Sequence, residues 1–433
     1  MLCENIGVNS AGHLTFAGQD TVELAKEYGT PLYLMDENRI REKCRIYMKA
    51  MKDAFGEESH PVYAGKAACF RHIYRIMKEE GMGIDLVSPG EIYTAHSQGF
   101  PMENSFFHGN NKTDADIAYA MECGVGYFMV DNMYEIKAIN ELAGKRGKVQ
   151  KVILRLTPGI DPHTYSAVAT GKVDSKFGIA IETGQADEFV KEAVKFENVK
   201  IMGYHCHVGS QVFDEEGSVY LDAADIMLSF AADMEKKYSL PMEILNMGGG
   251  YGVAYTEEDT GVDISANIHL LAGHIKAECE KLGIKMPKVL MEPGRSIVAD
   301  AGMTLYSVGT LKEITGYKNY VSVDGGMTDN PRYALYGSKY TVYLAERMND
   351  EATFRCDVVG RCCESGDIIQ PDVLLPKPER GEILAVATTG AYNYSMASNY
   401  NRIPRPALVM LKDGESFLAV KRESFEDLVK NDM

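Results

Sequence analysis

Lys66 is a residue whose position suggests covalent chemistry. It follows an apolar run in the string HPVYAGKA, and an ammonium group at such a strand end is partly desolvated. Desolvation lowers the pKa of a lysine, and the neutral amine is a nucleophile that attacks an aldehyde. Taken alone, Lys66 is better explained as a lysine that merely leaves the core at a strand end, because lysine is a common surface residue. Only together with the residues described below is covalent chemistry favoured.

A glycine run suggests a second function, the binding of a phosphate group. Gly248, Gly249 and Gly250 have no side chains that would keep backbone N–H groups away from an anion. Ser210, in the string HVGSQ, could donate a further hydrogen bond. Many ordinary turns also contain glycine, so the run alone leaves both interpretations open.

Glu292 and His207 suggest how an aromatic heterocycle would be held. Glu292 precedes Pro-Gly-Arg, a rigid turn expected to aim the carboxylate inward. A carboxylate facing a pyridine nitrogen keeps that nitrogen protonated, so that the ring withdraws an electron pair from a carbanion. The alternative is a cap or a salt bridge with Arg295. His207 is expected to lie flat against the ring. His205 and His207 could instead bind a metal, but alternating residues of a strand point to opposite faces. Stacking is therefore favoured, and no metal is predicted.

Alternating strands and helices are the elements that must position these residues. Eight short apolar runs rich in Val, Ile, Tyr and Phe are separated by amphipathic stretches, a pattern typical of β-α units around a parallel sheet. The runs cover residues 60–67, 83–88, 105–110, 126–132, 151–158, 200–209, 242–250 and 288–295. They predict a closed (β/α)8 barrel of the TIM type over residues 37–295, with its active site at the C-terminal strand ends. Asp114 and Asn132 are predicted to open two of the intervening helices.

Residues 296–433 have the pattern of a second domain. Short alternating runs with turn residues between them predict a mainly antiparallel β domain, sandwich-like or barrel-like. The runs are GMTLYSVGTLKEI, NYVSVDGG, YTVYLA, TFRCDVVGRC, EILAVATTGAY, PALVMLKD and SFLAVKR. Residues 1–36 contain two further strand-like strings, HLTFAG and TPLYLMD, and are assigned to the same domain.

Composition excludes several classes of protein. At 433 residues the chain is long enough for two or three domains. Its formal charge of −17 repels phosphate backbones and anionic lipid headgroups, so nucleic acid and membrane partners are not expected. Nine cysteines without a C-x-x-C pair predict neither a disulfide framework nor a zinc ribbon. A reducing cytoplasm fits this cysteine usage best, and we expect an untargeted cytoplasmic protein.

Ten strings, in order along residues 63–401, carry a family resemblance. They are YAGK, GIDLVSPGEIYTA, HGNNKT, GKVDSKFGI, HCHVGSQ, NMGGGYG, MEPGRSIVADAG, VDGGMTDNPRYALYG, CCESGD and TTGAYNYSMASNYN. Through them the sequence resembles the diaminopimelate decarboxylases, which belong to the fold-type III pyridoxal-phosphate decarboxylases. Each string alone is weak evidence, but ten in order make a chance similarity very improbable.

The resemblance implies a role for each candidate residue. Lys66 would hold pyridoxal phosphate as an imine, His207 would stack on its ring, and Glu292 would pair with the pyridine nitrogen. The other implied cofactor ligands are Asp85, Ser210, Gly248, Gly249, Gly250, Gly294, Arg295 and Tyr392. The implied substrate ligands are Arg295, Arg332, Tyr336, Glu364 and Tyr392. Cys363 is implied to come from a partner subunit as proton donor, so a homodimer with shared active sites is expected.

Two departures from the family pattern concern neighbours of the catalytic candidates. Lys66 is followed by Ala-Ala-Cys-Phe, where the family often has Ala-Asn, and Cys362 stands directly beside Cys363. Because register with Glu364 decides which of the two thiols faces the site, Cys363 is the one predicted to act.

Residue chemistry and resemblance together predict the reaction. Loss of CO2 from an amino acid leaves a carbanion that an imine to a protonated pyridine stabilises, and Cys363 or Lys66 then protonates it. Arg295 and Arg332 can bind a distal carboxylate through their guanidinium forks, while Glu364 takes the distal ammonium. The resemblance therefore implies decarboxylation of meso-2,6-diaminopimelate to L-lysine, the last step of lysine biosynthesis.

Three alternatives are weighed against this prediction. A decarboxylase of the same fold could act on D-lysine, D-ornithine, L-ornithine, arginine or carboxynorspermidine, although CESGD with Arg332 and Tyr336 argues against it. A racemase is disfavoured, because racemases of this fold tend to place an arginine at the pyridine nitrogen, where Glu292 stands here. The presence of Lys66, Cys363 and the C-terminal β domain disfavours a non-catalytic cofactor carrier or inhibitor.

Overall fold

The computed structural model describes residues 1–160, 174–214 and 216–433. The first three residues of the motif GKVDSKFGI, 171–173, lie outside the described residues. The chain divides into two compact units. We call residues 43–252 and 261–296 the barrel unit, and residues 1–42, 253–260 and 297–433 the β unit.

Strands and helices alternate along the barrel unit, whereas strands predominate in the β unit. In chain order the strands are β1 (Ile6–Val8), β2 (Leu14–Phe16), β3 (Gln19–Asp20), β4 (Leu32–Asp36), β5 (His60–Ala64), β6 (Gly83–Leu86), β7 (Ser105–Phe107), β8 (Tyr127–Val130), β9 (Gln150–Thr157), β10 (Ile179–Ala180), β11 (Val199–His205), β12 (Ile244–Asn246), β13 (Lys288–Met291), β14 (Gly302–Ile314), β15 (Lys318–Val323), β16 (Val342–Leu344), β17 (Phe354–Val359), β18 (Ile368–Leu375), β19 (Ile383–Ala387), β20 (Ala407–Lys412) and β21 (Glu415–Val420). The helices are α1 (Thr21–Tyr28), α2 (Glu37–Phe55), α3 (Arg71–Glu79), α4 (Pro89–His96), α5 (Asp114–Glu122), α6 (Met133–Lys145), α7 (Gln185–Ala193), α8 (Ser218–Tyr238), α9 (Ile264–Leu282), α10 (Arg295–Val298), α11 (Arg332–Tyr336), α12 (Asn393–Met396) and α13 (Phe425–Val429). Among the described residues, no helix is both long enough and apolar enough to cross a membrane.

Eight parallel strands close a barrel. Their order is β5, β6, β7, β8, β9, β11, β12 and β13, and β13 pairs with β5 to complete the circle. These strands are the eight apolar runs predicted from the sequence, so the predicted barrel is confirmed. Strands buried on both faces must be apolar on both, and the barrel interior is packed. The interior side chains are Val62, Phe106, Met129, Ile153, Met202, Ile244 and Leu290.

The starts of two barrel helices illustrate how local sequence sets an element boundary. Helix α6 begins after Asn132, whose side chain accepts the N–H of Glu135, as predicted. Helix α5 begins at Asp114, but its cap is Thr113, which forms a capping box with Asp116. The predicted capping position is therefore wrong by one residue. The Thr113 hydroxyl accepts the backbone N–H of Asp116, one of the first-turn amides that have no partner within the helix.

A mixed sheet of nine strands forms the centre of the β unit. Its path is β18, β17, β15, β14, β4, β20 and β21, with β19 paired to β14 and β16 paired to β19. The sequence predicts mainly antiparallel pairing, and most neighbours pair in this way, but β4 with β20 and β15 with β17 are parallel. Strand β18 is not among the predicted runs, because Gln370 and Pro371 interrupt its apolar pattern. It lies at an edge of the sheet, where a proline is tolerated.

The two N-terminal strand-like strings differ in their placement. TPLYLMD contains β4, whose five residues are all buried and which pairs with β14 and β20. HLTFAG contains β2, which pairs with β1 and β3 in a separate three-stranded sheet. Leu14 and Phe16 of β2 nevertheless belong to the same apolar cluster as Leu32 and Leu34 of β4.

Candidate active site

Each barrel strand carries a polar residue at its carboxyl end, the end where barrel enzymes bind substrates. Residues two apart lie on one face of a strand, so the residue two places beyond an interior apolar side chain also points inward. This relation links Phe106 to His108, Met129 to Asp131, Ile153 to Arg155, Ile244 to Asn246 and Leu290 to Glu292. The strand-end residues are Lys66, Asp85, His108, Asp131, Arg155, His205, Asn246 and Glu292. The sequence placed His108 and Arg155 at the ends of two apolar runs without a role, and raised His205 only as a possible metal ligand. Asp131 and Asn246 were missed, although this two-residue period was readable for both.

Glu292 lies directly after β13 and is 8% exposed. Its Oε1 is 2.8 Å from His108 Nε2 and accepts a hydrogen bond from Asn246 Nδ2 at 2.7 Å, while its Oε2 is 3.1 Å from His205 Nε2. Burial alone would raise the pKa of this carboxyl, but His108 and His205 hold the pKa well below its ordinary value. An ionised, buried carboxylate is what the partner of a protonated pyridine nitrogen must be.

His205 ends β11 and is the neutral neighbour of this carboxylate. It is 1% exposed, and burial lowers its pKa to about 4 although Glu292 acts in the opposite direction. Nε2–H then donates to Glu292, which leaves Nδ1 without a proton. Within the described residues Nδ1 makes no hydrogen bond.

Acid is expected to destabilise the protein through His205. The ordinary pKa of histidine is near 6.5, so below that pH the unfolded chain binds a proton that the folded chain takes up only near pH 4. The contribution of this residue to the free energy of unfolding is complete above about pH 6.5 and falls by about 3 kcal/mol as the pH approaches 4. Urea unfolding between about pH 7 and pH 5 measures the slope. The variant His205→Gln should flatten it, and an unchanged slope would contradict the assignment.

Asp85 of β6 is a buried carboxyl group with an unused oxygen. It is 2% exposed, and burial raises its pKa, which the charges of His108 and Lys66 oppose. Its Oδ1 lies 3.9 Å from His108 Nε2 and makes no hydrogen bond within the described part of the chain. Buried polar atoms are nearly always satisfied in a working site, so this oxygen marks a position for a ligand.

Lys66 is exposed, which corrects the expectation that its strand end desolvates the ammonium group. The reason is local: β5 stops at Ala64, and a 3-10 turn over Gly65–Ala67 carries the lysine beyond the buried strand. The Lys66 charge still acts on the pKa values of Asp85 and His207. The lysine therefore lies at the same end of the barrel as both of these residues.

Close backbone packing accounts for part of the glycine run. A Cβ on Gly249 would lie 2.1 Å from the carbonyl oxygen of Glu292. Gly250 has a φ of +118°, and a Cβ there would lie 2.3 Å from the carbonyl oxygen of Gly209. No residue with a side chain fits either position, so the fold requires these glycines independently of any ligand.

Two of the three backbone amides in the glycine run donate to side chains of the protein, and the third has no acceptor among the described residues. Gly248 N–H donates to Asn246 Oδ1 at 2.9 Å, and Gly249 N–H donates to His207 Nδ1 at 3.3 Å. Burial, with the charges of Lys66 and Arg155, keeps the pKa of His207 well below its ordinary value, so this ring is neutral and can accept at Nδ1. The Gly250 amide makes no hydrogen bond among the described residues and is the one in the run available to an anion.

Arg295 and Ser210, both predicted to bind the phosphate, lie together. Arg295 is 7% exposed and donates to Ser210 Oγ at 3.0 Å. The partners of Glu292 are two histidines and an asparagine, so the alternative salt bridge with Arg295 does not explain that carboxylate. A Cβ on Gly294 would lie 2.9 Å from the Cβ of Ala64, which places the turn before Arg295 against the strand that leads to Lys66.

A further charged cluster supports the ring of strand ends. Arg155 Nε lies 3.9 Å from Asp131 Oδ1, and the guanidinium stands 4.4 Å from the centre of the Phe177 ring. Lys112 and Glu135 form a buried ion pair at 2.7 Å. Removing one partner of such a pair costs about 3–5 kcal/mol, so the pair fixes the loops that follow β7 and β8. In the sequence this pair was indicated only by Lys112 of the string HGNNKT, to which no role was assigned.

Three predicted substrate residues lie together in the β unit. Arg332 begins α11 and is 6% exposed, and its Cζ is 5.0 Å from the centre of the Tyr336 ring and 5.1 Å from that of Tyr392. Tyr392 has a left-handed φ of +67°, a costly conformation that the surrounding structure must impose. Within the described residues Arg332 Nε makes no hydrogen bond. A guanidinium held between two phenol rings keeps its N–H edge for an anion.

The turn between β17 and β18 carries Cys363 and Glu364, which are both exposed. The neighbouring Cys362 is buried, and burial raises the pKa of its thiol to about 12. A thiol with this pKa is inert at neutral pH. The structure thus distinguishes the two adjacent cysteines, and Cys363 is the accessible one.

The groups at the barrel mouth fit a phosphorylated pyridine aldehyde. Lys66 offers an amine to the aldehyde, and the ionised Glu292 offers a partner to the ring nitrogen. Asp85 Oδ1, which has no hydrogen-bond partner among the described residues, can accept from a further polar group of the ligand. The groups available to a phosphate are the Gly250 amide, Ser210 and Arg295. The ligand atoms of His108, His205 and Glu292 also lie within 4.8 Å of one another, as a metal site would need, but Nε2 of each histidine already pairs with a Glu292 oxygen. The absence of a metal stays a prediction.

Comparisons with known proteins agree with this fit. Residues 37–299 match the family described as pyridoxal-dependent decarboxylase, pyridoxal binding domain. The diaminopimelate decarboxylase of Bacillus subtilis (strain 168) is 43% identical over 425 residues, which cover 98% of this chain and 96% of the relative. The crystal structure of diaminopimelate decarboxylase from M. jannaschii in co-complex with L-lysine has a TM-score of 0.90 and 33% identity, and the match covers 99% of this chain and 98% of that chain. A lysine/ornithine decarboxylase from Vibrio vulnificus, complexed with putrescine, has a TM-score of 0.74 and 26% identity, with 90% and 97% covered.

The family match, the full-length relatives and the barrel-mouth residues all agree. The family match covers more than half of the chain and includes Lys66, His207 and Glu292. The relatives named diaminopimelate decarboxylase match the barrel unit and the β unit alike. This chain belongs to the diaminopimelate decarboxylases, within the pyridoxal-dependent decarboxylase family.

Proposed function

We propose that the chain removes one carboxylate from meso-2,6-diaminopimelate and releases L-lysine and CO2. The observation that carries the reaction type is Glu292, a buried carboxylate that contacts nitrogen atoms from three other strand ends and is kept ionised by two of them, His108 and His205. This carboxylate favours decarboxylation over racemisation, because it would keep the pyridine nitrogen protonated and so give the ring its strongest electron withdrawal.

The barrel unit provides the groups that would bind and orient the cofactor. When bound, pyridoxal phosphate supplies the ring that accepts the negative charge left on Cα by the departing CO2. Lys66 would attach it, His207 would face its ring, and Glu292 would keep a proton on the ring nitrogen. The phosphate would be held by the Gly250 amide and by Ser210 with Arg295, while Gly294 leaves space for the turn.

Cys363 is the proposed donor of the proton that Cα takes up after CO2 leaves. The donor must be reachable and must titrate near the working pH. Cys363 is exposed, whereas Cys362 is buried with a thiol pKa of about 12. Lys66 is the second candidate donor, since it lies at the barrel mouth and is exposed as well.

Substrate choice is proposed to depend on the far end of the molecule, which carries a second amino group and a second carboxylate. Arg332, held by Tyr336 and Tyr392, suits the carboxylate, because a guanidinium fork binds it in two places. Glu364 is exposed and suits the ammonium group. A substrate such as ornithine or lysine has no distal carboxylate and would leave Arg332 without a partner.

A panel of substrates tests the proposal. Purified protein with pyridoxal phosphate is incubated separately with meso-diaminopimelate, D-lysine, D-ornithine, L-ornithine, L-arginine and carboxynorspermidine, and products are identified by mass. We expect lysine from meso-diaminopimelate and no product from the others. Turnover of one of the amines alone would show that the chemistry is right and the roles of Arg332 and Glu364 are wrong. No turnover at all would overturn the enzymatic function.

We further propose a cytoplasmic homodimer in which Cys363, Glu364 and Tyr392 of one copy complete a barrel site of the other. The nine cysteines all lie within the described residues and form no disulfide there, in keeping with a reducing compartment. If the sites are shared, Lys66→Ala and Cys363→Ala are each inactive alone, but their equimolar mixture regains about a quarter of wild-type activity through sites built from two intact halves. Activity that stays absent after dissociation and remixing would contradict shared sites.

A further inference from the structure

Asp367 is a buried acid to which the proposed mechanism assigns no role. It ends the turn between β17 and β18 and is 3% exposed. Its Oδ2 accepts the Cys362 N–H at 2.7 Å, and its Oδ1 accepts the Met327 N–H at 2.6 Å. Cys362 lies in the turn itself, whereas Met327 lies on the segment from β15 to α11. One carboxylate therefore joins two chain segments that are distant in sequence.

Two glycines make room for this carboxylate. Gly326 has a φ of +156°, and a Cβ there would lie 2.5 Å from Asp367 Oδ1. Gly360 opens the turn, and a Cβ there would lie 2.3 Å from Asp367 Oδ2. A side chain at either position would press against the carboxylate. Both segments thus approach the Asp367 carboxylate so closely that a side chain at either glycine would displace it.

Both segments carry residues used in the proposed function. The first enters α11 at Arg332, and the second carries Cys363 and Glu364. The far side of the second segment is held as well, because Cys363 N–H donates to Asn401 Oδ1 at 2.8 Å. Asn401 has a left-handed φ of +52°, a conformation that costs free energy and persists only where neighbours impose it.

We propose that Asp367 is a positioning residue, whose two oxygens hold the turn of Cys363 and Glu364 at a fixed place relative to Arg332. The inference rests on the proposed function, because the value of that placement follows from the roles given to these three residues. The Asp367 carboxylate acts through these two backbone amides and through a further hydrogen bond with the buried Cys362 thiol. Two N–H donors need two oxygen acceptors, and a carboxylate supplies both, whereas an amide side chain supplies one oxygen and turns an NH2 toward the other donor.

The variant Asp367→Asn tests the proposal in the holoenzyme. We expect kcat/KM for meso-diaminopimelate to fall by about 10- to 100-fold, the effect of one buried amide left without its acceptor. The cofactor is proposed to bind in the barrel unit, so cofactor content and its absorption band should not change. Hydrogen exchange of the peptides covering residues 323–332 and 360–367 should become faster.

A second variant approaches the same contact from the opposite side. Gly360→Ala leaves Asp367 intact but places a methyl group 2.3 Å from its Oδ2 and 2.5 Å from the Cα of Gly326 on the other segment, and the backbone of Gly360 is not left-handed. The same loss of kcat/KM and the same faster exchange are expected. The matched control is Asp372→Asn, which removes an exposed carboxylate of β18 paired with Arg355 and should change neither quantity.

Several outcomes would overturn the role of Asp367. Unchanged kcat/KM and unchanged exchange in Asp367→Asn would show that the carboxylate does not hold the two segments. Loss of the cofactor band, or dissociation of the assembly, would assign Asp367 to general stability instead. Hydrogen exchange needs no turnover, so it decides about Asp367 even if the wild-type protein fails to decarboxylate meso-diaminopimelate.

Discussion

Replacing Lys66 with alanine is expected to reduce the rate of meso-diaminopimelate decarboxylation by at least about a thousandfold, as the loss of a covalent catalytic group does in other enzymes. The side chain is the proposed point of attachment of the cofactor. Lys66 is exposed and stands on a 3-10 turn beyond β5, so its removal should leave the folded structure and its thermal midpoint nearly unchanged. The loss would therefore be chemical in origin.

A matched lysine separates the loss of this group from the loss of a positive charge. Lys49 on α2 is also exposed and pairs with Asp53 at the surface, and Lys49→Ala should retain full activity. Rates are compared by CO2 release at saturating cofactor. Residual activity of Lys66→Ala within about tenfold of wild type would mean that another residue attaches the cofactor.

Replacing Glu292 with glutamine is expected to lower kcat by about a hundredfold. A nearby opposite charge changes a pKa by about one to three units, so without this carboxylate the pKa of the pyridine nitrogen would fall and the protonated ring would become scarce. Glutamine keeps the size of the side chain and removes its charge. The fold should tolerate the change, because His205 has an unused Nδ1 and a proton moved there lets Nε2 accept the new NH2. The ring nitrogen would then lack the partner that keeps it protonated, and electron withdrawal would weaken.

The control for Glu292 is an acid at the other end of the barrel. Glu243 precedes β12 and pairs with Lys200 at 2.8 Å with both side chains partly exposed, so Glu243→Gln should leave kcat unchanged. Absorption of the bound cofactor, measured against pH, reports the charge state directly. Equal kcat and equal spectra in Glu292→Gln and wild type would remove Glu292 from the mechanism.

Much of the barrel was predictable because its strands are short, apolar and separated by helices. All eight runs fell on the barrel strands, and Lys66, Asp85 and Glu292 fell at their carboxyl ends. His108 was also placed at a strand end from the sequence, but without a role. The same period of two identifies Asn246, because it follows the interior residue Ile244 by two places. The contacts of both residues with Glu292 depend on the closure of the barrel, which no single strand records.

Other features depended on contacts that no local pattern records. The burial of Cys362 beside the exposed Cys363 follows from packing of the turn around Asp367, and adjacent cysteines look alike in sequence. Lys66 was expected to be desolvated, but a 3-10 turn places it beyond the buried strand. Strand β18 escaped prediction because its partner β17 and its edge position, rather than an alternating pattern, determine it.

The position at which the cofactor is attached tests the proposed function most directly. Holoprotein is treated with borohydride, which makes the bond between lysine and cofactor permanent, and is then digested and mapped by mass spectrometry. We expect about one pyridoxyl phosphate group per chain, located on Lys66, with none in Lys66→Ala. A label on any other lysine, Lys112 included, or no label in active wild-type protein would contradict it.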